Sequence, residues 1–324
     1  MKILLIRFSS IGDIVLTTPV ARCLKQQLGA EVHFITKRAF SPVLEPNPHV
    51  DRVFSFEKKL SETLPALHRE RYDWVLDLHH NLRSAHVKWS LGRPARSFDK
   101  LNLEKWLLVH TGIDRLPDRH IVHRYMATAE HLGVRYDGQG LDYFIPASEE
   151  VDVSRLDPGV APGEYVAFAI GANHATKRMP EEKIADLCRR IPLPVLLLGG
   201  KSEQAAGARI AATAGAHVHD LCGRLSLHQS ASVLRQSARV ATHDTGLMHM
   251  AAALRKPIVS LWGNTVPKFG MYPFYPDSMA LNTTFEVAGL PCRPCSKIGY
   301  DRCPKGHFRC MNDLDTAAIA EALK

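Results

Sequence analysis

Residues 239–264 read RVATHDTGLMHMAAALRKPIVSLWGN, and the fold follows from this stretch. A short aliphatic run, Arg239 to Thr242, ends in the polar His243-Asp244-Thr245-Gly246. Small and apolar residues then fill Gly246 to Leu254, and a second aliphatic run occupies Pro257 to Leu261. The order strand, tight turn, helix, strand is the repeating unit of a parallel sheet. Because the helix begins at once after the turn, its free amides and positive dipole end point beyond the strand, a ready anion site. Asp244 or Thr245 could simply cap that helix, and His249 could be an ordinary core histidine. His249 follows Gly246 by three residues, however, so the first helical turn carries its imidazole towards the glycine amide. A glycine that admits a phosphate, a hydroxyl and an imidazole together suit a diphosphate.

The same alternation extends outward in both directions. Upstream, Tyr165 to Ile170 reads as a strand, Pro180 to Ile191 as a helix, Pro194 to Leu198 as a strand, and Ser202 to Ala214 and Leu227 to Gln236 as helices. The amino-terminal half has strand-like runs at Lys2 to Arg7, Glu31 to Thr36, Arg52 to Phe56 and Trp74 to Leu78, with helical stretches after them. Pro19 falls within the first of these helices and should either kink it or lie in its first turn. A stretch rich in Pro, Gly and acids, Ile145 to Gly163, interrupts the pattern. The expected organisation is therefore a doubly wound domain over residues 1–150, a linker over 151–163 and a second such domain over 164–312. A last helix, 313–324, would pack back on the first domain. Two such domains facing a cleft would present ligands beyond the carboxyl ends of their strands.

Composition agrees and excludes other classes. The chain has 324 residues, 45% hydrophobic and 23% charged, a globular balance of a length that suits two domains. Its formal charge of +8 favours anionic partners without choosing among nucleic acid, phosphorylated small molecules and acidic lipid. Arg7 and Asp13 interrupt the opening apolar run before a signal peptide could form. No stretch reaches the roughly 20 apolar residues of a spanning helix. A cytoplasmic protein is expected, so the seven cysteines read as thiols or metal ligands rather than disulfides.

Three other segments carry candidate chemistry. Asp13 lies in the loop after the first strand, where it could cap a helix or, kept ionised, accept a proton from a substrate hydroxyl. Gly171 to Arg178 (GANHATKR) supplies amides and cations at a second strand end, or is a solvated basic loop. Leu198-Gly199-Gly200-Lys201-Ser202-Glu203 is a Gly-rich turn whose Glu203 could accept from ribose hydroxyls, or an ordinary helix start. No Walker loop is present, and no G-x-G-x-x-G follows the first strand, which disfavours a dinucleotide oxidoreductase.

Taken together, R-x-S-S-x-G-D at Arg7 to Asp13, D-L-H-H-N-L-R-S at Asp77 to Ser84, the loop around Lys177 and D-T-G-x-x-H at Asp244 to His249 resemble glycosyltransferase family 9, the ADP-heptose:lipopolysaccharide heptosyltransferases. The resemblance implies a GT-B fold of two Rossmann-like domains, the first holding mainly the acceptor and the second the nucleotide sugar. It implies an inverting transfer of heptose from ADP-heptose to an inner-core sugar, Kdo or heptose, with no metal or cofactor in catalysis. Asp13 takes the position of the catalytic base and Lys177 that of the lysine neutralising the leaving diphosphate. Gly12, Thr176, Glu203, Asp244, Thr245, Gly246 and His249 fall among the donor-binding residues. Arg83 and Arg124, in segments resembling the family, are the preferred acceptor contacts. An acceptor of the Kdo-lipid A type, and an anionic inner-membrane surface, would both be drawn to a basic first domain; a solvated surface is the plainer reading of most of its cations.

The carboxyl-terminal Cys292-x-x-Cys295, Cys303 and Cys310 form a compact four-thiol run. Their spacing could hold a structural tetrahedral zinc, with His307 as a substitute ligand, although partly buried free thiols explain it too. A different nucleotide sugar or acceptor on the same fold is the alternative function. A non-catalytic binder of anionic surfaces or nucleic acid is the alternative class, and nucleic acid is not the expected partner.

Overall fold

The computed structural model describes residues 1–157 and 159–324. They form two compact units. The first comprises residues 1–101, 119–144 and 276–278, and the second residues 102–118, 145–275 and 279–324.

In the first unit, β1 (Lys2–Ile6), β2 (Glu31–Lys37), β3 (Arg52–Phe56), β4 (Trp74–Asp77) and β5 (Ala95–Ser97) form a sheet of order β3-β2-β1-β4-β5. Every pairing is parallel, with Ile6 opposite Ile35 on one side and Asp77 on the other. β1 is buried along nearly its whole length, as a central strand covered on both faces must be, and so reads as a continuous apolar run. After β1 the chain forms two helices rather than one, Ile11–Val15 and Thr18–Leu28, and Pro19 sits in the first turn of the second. There its missing N–H costs no hydrogen bond. Arg22 of that helix is buried; its guanidinium takes Asp137 bidentately at 2.7 and 2.8 Å, the Gly140 carbonyl at 2.9 Å and the Asp142 carboxylate.

The second unit holds β6 (Val166–Ala169), β7 (Val195–Leu198), β8 (Val218–Asp220), β9 (Arg239–His243), β10 (Ile258–Trp262) and β11 (Asn282–Glu286) in the order β11-β10-β9-β6-β7-β8. This sheet too is parallel throughout. Ile258, Val259, Leu261 and Trp262 of β10 are buried against its neighbours. The short β5 and β8 and the exposed β11 lack the aliphatic runs that mark the other strands.

Three boundaries depart from the sequence expectation. Residues 102–118 belong to the second unit, where Lys297 Nζ donates to Asn102 Oδ1 at 3.4 Å, Lys105 lies over the Phe269 ring and Lys268 pairs with Asp114. The expected linker is tied to the second unit as well: Val151 N donates to Ser232 Oγ at 3.1 Å and Gln236 Nε2 to the Val151 carbonyl at 2.8 Å. Pro158, within that stretch, lies outside the described residues. The last helix, Thr316–Ala322, packs on helix Glu181–Arg190 of the second unit instead of returning to the first. Ile319 and Leu323 enter the second unit's core, Thr316 Oγ1 donates to Asp186 Oδ2 at 2.5 Å, and Lys183 Nζ donates to the Asn312 and Leu314 carbonyls. Its apolar face is buried in the second unit's own core, against a helix some 130 residues earlier in the chain.

Candidate functional site

In each sheet the strand order reverses direction at one place, and connections on either side of it leave towards opposite faces. Such a switch point leaves a crevice beyond the carboxyl ends of the two strands. In the first unit it lies between β1 and β4, and in the second between β6 and β9. The candidate chemistry falls at these two places, one on each unit.

At the first, the chain leaving β1 passes Arg7, Ser9 and Ser10 and enters helix Ile11–Val15, which carries Asp13 in its first turn. Arg7 is 8% exposed. Its guanidinium donates to the Ser9 carbonyl at 2.7 Å, to the Leu78 carbonyl just past β4 at 2.7 Å, and to the Tyr125 hydroxyl at 3.0 Å. The remaining nitrogen lies 2.6 Å from Asp13 Oδ1. Asp13 Oδ2 accepts from the Ser10 amide at 3.1 Å and the Ser10 hydroxyl at 2.8 Å. Burial alone would push this carboxyl up, but the Arg7 charge and the Ser10 hydrogen bonds outweigh it and hold Asp13 below the usual carboxylate range. Asp13 is therefore a fixed carboxylate, able to cap its helix and to receive a proton. His79 lies beside the cluster, and burial together with the Arg7 charge pushes its imidazole down to about 4. Gly12 is buried within the helix.

At the second switch point, Lys177 follows β6 and Asp244 follows β9; Lys177 Nζ lies 2.6 Å from Asp244 Oδ2. Thr265 Oγ1 donates to the same carboxylate oxygen at 3.0 Å. His243 Nε2 accepts from the Met179 amide at 3.0 Å, tying the loop after β6 to β9, and burial pushes that imidazole down to about 4. Helix Gly246–Ala253 opens with no side-chain cap, so neither Asp244 nor Thr245 is spent in that way. Its first amides remain as anion donors. His249 is buried one turn into the helix.

Other expected residues are placed differently. The Thr176 hydroxyl is committed to the chain, donating to the Tyr300 carbonyl at 3.1 Å and accepting from the Tyr300 amide at 2.8 Å. Glu203 folds back on its own turn, where Oε2 accepts from the Gly200 amide at 3.0 Å and Oε1 from Ser202 Oγ at 2.9 Å, with Arg178 at 3.7 Å. A Cβ on Gly199 would come within 2.7 Å of the Glu203 Cβ, so the Gly-rich turn makes room for that side chain. Arg83 is exposed on helix Leu82–Leu91. Arg124, expected beside it on a basic surface, is 3% exposed and donates to the Asp99 carbonyl at 3.3 Å. It stands on helix Ile121–Met126 next to Tyr125, whose packing draws it inward.

All seven cysteines are free. Cys292 Sγ lies 3.7 Å from His307 Nε2; burial, with a contribution from neighbouring thiols, pushes Cys295 and Cys310 up to about 11. The four thiols are neighbours that have not closed on one centre. Among the described residues, the group of three metal-binding side chains whose ligand atoms all lie within 4.8 Å of one another is instead Glu31, His33 and Glu70. Lys2 Nζ already occupies that group, 2.7 Å from Glu70 and 3.2 Å from Glu31.

Two residues have a place at these sites that the sequence did not assign. Arg7 was visible only as part of a motif, and its signal was an arginine at the end of a buried strand. Asn264, just past β10, is 1% exposed, and neither atom of its side-chain amide has a partner in the chain. Buried amides are nearly always bonded, so this group, just past the end of β10, has bonding capacity that the chain does not use.

Two doubly wound parallel-sheet units with their polar groups gathered at the switch points define the class: this is the architecture of GT-B glycosyltransferases. The chain belongs to glycosyltransferase family 9 (heptosyltransferase), whose family model matches residues 62–298. It is 29% identical to lipopolysaccharide heptosyltransferase 1 of Pseudomonas aeruginosa, over 97% of this chain and 91% of that protein. Its fold is shared with a glycosyl transferase of family 9 from Veillonella parvula, with a TM-score of 0.78, 21% identity and coverage of 99% of this chain and 95% of that one. It is shared as well with E. coli ADP-heptose lps heptosyltransferase II, with a TM-score of 0.71, 22% identity and 99% of each chain covered.

Proposed function

We propose that this glycosyltransferase moves heptose from ADP-heptose to an inner-core sugar of lipopolysaccharide, with inversion at the anomeric carbon. The observation that carries the reading is the Asp13 carboxylate, held ionised at the first switch point by Arg7 and Ser10. The family description and the names of the relatives support the sugar, the nucleotide and the acceptor class. In this reaction Asp13 accepts the proton of an acceptor hydroxyl as that oxygen bonds to the anomeric carbon. The anomeric bond to the diphosphate breaks, and its electron pair leaves on the phosphate oxygen. Lys177 and the amides opening helix Gly246–Ala253 stabilise the departing charge. Arg83, exposed and cationic, meets the anionic acceptor. A lipid-linked acceptor puts the enzyme to work at the cytoplasmic face of the inner membrane; among the described residues no helix is long and apolar enough to cross it.

A zinc ion at Cys292, Cys295, Cys303 and Cys310 belongs to this proposal as a staple of the carboxyl-terminal loop, outside the chemistry. The nearness of Cys292, Cys303 and Cys310 to Cys295 supports it. Purified chain that holds no zinc and keeps its melting temperature in chelator would overturn it.

The function is tested by incubating the purified chain with ADP-heptose and Kdo-lipid A and following ADP release and acceptor mass. Turnover that Asp13→Ala lowers by at least about a hundredfold, with ADP binding retained, is the expected result. Turnover with another nucleotide sugar and none with ADP-heptose would replace the donor. Full activity of Asp13→Ala would remove the base.

A further inference from the structure

Helix Leu82–Leu91 carries a face that nothing in the described chain covers. Asn81 caps it, with Oδ1 accepting from the Ser84 amide at 2.9 Å, and Ser84 and Val87 are buried against the first unit's core. The opposite face, offset by about 200° at two residues, is a stripe at helical spacing: Leu82, His86, Trp89 and, just past the helix end, Arg93. Leu82 is 91% exposed and Trp89 is 81% exposed. Single exposed apolar residues are ordinary. Two of the largest kind, two turns apart on one stripe with a histidine ring 6.2 Å from the indole, are not scattered.

The charges around the stripe say what covers it. Helix Leu82–Leu91 contains no acid, and Arg83, Arg93 and Arg96 are exposed with no ion-pair partner among the described residues. Lys88 makes no contribution outward, since its ammonium is spent 2.8 Å from Asp77. A Trp and a Leu projecting between unpaired arginines match the interfacial zone of an anionic bilayer, where an indole sits at headgroup depth and guanidinium groups meet phosphates. The helix also starts four residues after Leu78, whose carbonyl Arg7 holds beside Asp13. A lipid surface at Leu82 would thus lie close to the acceptor end of the site.

We infer that helix Leu82–Leu91 docks the enzyme on an anionic phospholipid surface, with Leu82 and Trp89 inserted and Arg93 on phosphates. This rests on the lipid-linked acceptor proposed above, so the test uses plain vesicles without acceptor or donor. Failure to dock would then leave heptosyl transfer to its own assay. The full-length chain is titrated with vesicles of phosphatidylethanolamine and phosphatidylglycerol, and with phosphatidylcholine vesicles, while sedimentation and tryptophan emission are followed. Binding to the anionic vesicles with a blue shift is expected, weakened about tenfold or more by Leu82→Ser or Arg93→Glu. Trp89→Phe should abolish most of the shift while much of the binding survives, and melting temperatures should not move because these side chains are exposed. An undiminished shift in Trp89→Phe, equal binding to both vesicle types or no binding would each overturn the inference. So would a dimer in solution that dissociates on Leu82→Ser, which would make a second copy the occupant.

Discussion

The Arg7 guanidinium lies 2.6 Å from Asp13 Oδ1 while the same side chain reaches across to the Leu78 carbonyl, so one arginine joins the loop after β1 to the end of β4 and fixes the carboxylate there. The pair sets both the position and the charge of the proposed base. A base held below its ordinary pKa is weak in the ground state. It gains from accepting a proton only late in the reaction, as the attacking hydroxyl becomes strongly acidic.

Arg7→Met should therefore change a pH profile as well as a rate. With Arg7 present, the active deprotonated form of Asp13 persists to below the usual carboxylate range. Without it, burial dominates and the acidic limb of kcat/KM moves upward. The same shift governs stability: the contribution from Asp13 is present above its unfolded pKa and is lost as pH falls through its lower folded value. Arg7→Met should lose that contribution, so its melting temperature should fall less between neutral and acid pH than that of the wild type. An acidic limb that stays where it was would show that Arg7 only fills space.

Lys177 and Asp244 meet at 2.6 Å, each half-buried. Lys177→Ala should lower kcat by about a hundredfold, the scale of one lost oxyanion donor. Asp244→Ala should cost less, and the double variant much less than the product of the two, because the residues share one contact. Multiplicative single effects in steady-state kinetics would refute a coupled pair.

Asn264→Ala separates a ligand role from a structural one. The Asn264 side-chain amide has no partner in the chain, so removing it should leave the melting temperature unchanged or raise it. ADP affinity, measured by calorimetry, should fall about tenfold, the scale of one lost hydrogen bond at a buried site. Lower stability with full affinity would mean that the amide serves the fold.

Gly263→Ala should be destabilising. A Cβ there would come within 2.6 Å of the Thr176 carbonyl and 2.7 Å of Met311 Cε. Backbone cannot yield as a side chain can, so a loss of about 1–3 kcal/mol in denaturant unfolding is expected. Unchanged unfolding would show that the turn relaxes freely.

The central strands were legible because burial on both faces forces continuous aliphatic runs, as in β1, β7 and β10. The edge strand β11, half exposed, carries no such pressure, and β5 and β8 are too short to show a period. Asp13, Lys177 and Asp244 were legible because each stands at the carboxyl end of a recognisable strand, where α/β sheets present their chemistry. That Arg124 is buried was not legible, because resemblance to a family segment places a residue in the chain without saying which way it points. That the Thr176 hydroxyl and the Glu203 carboxylate have partners in the chain was not legible, since Tyr300 lies 124 residues from Thr176 and the Gly200 turn closes only in the fold.

By itself, then, the sequence determined the two parallel α/β halves, the family and which polar segments follow the central strands, since all of these follow from local period and short motifs. Tertiary structure alone decided that Arg7 grips Asp13, that Lys177 meets Asp244, that Arg124 is buried, and that the last helix closes the second unit's core. Arg7 is separated from Leu78 by 71 residues and Lys177 from Asp244 by 67. Strand order brings them together, and it depends on how whole helices and strands bury one another, a property that no local window of residues contains.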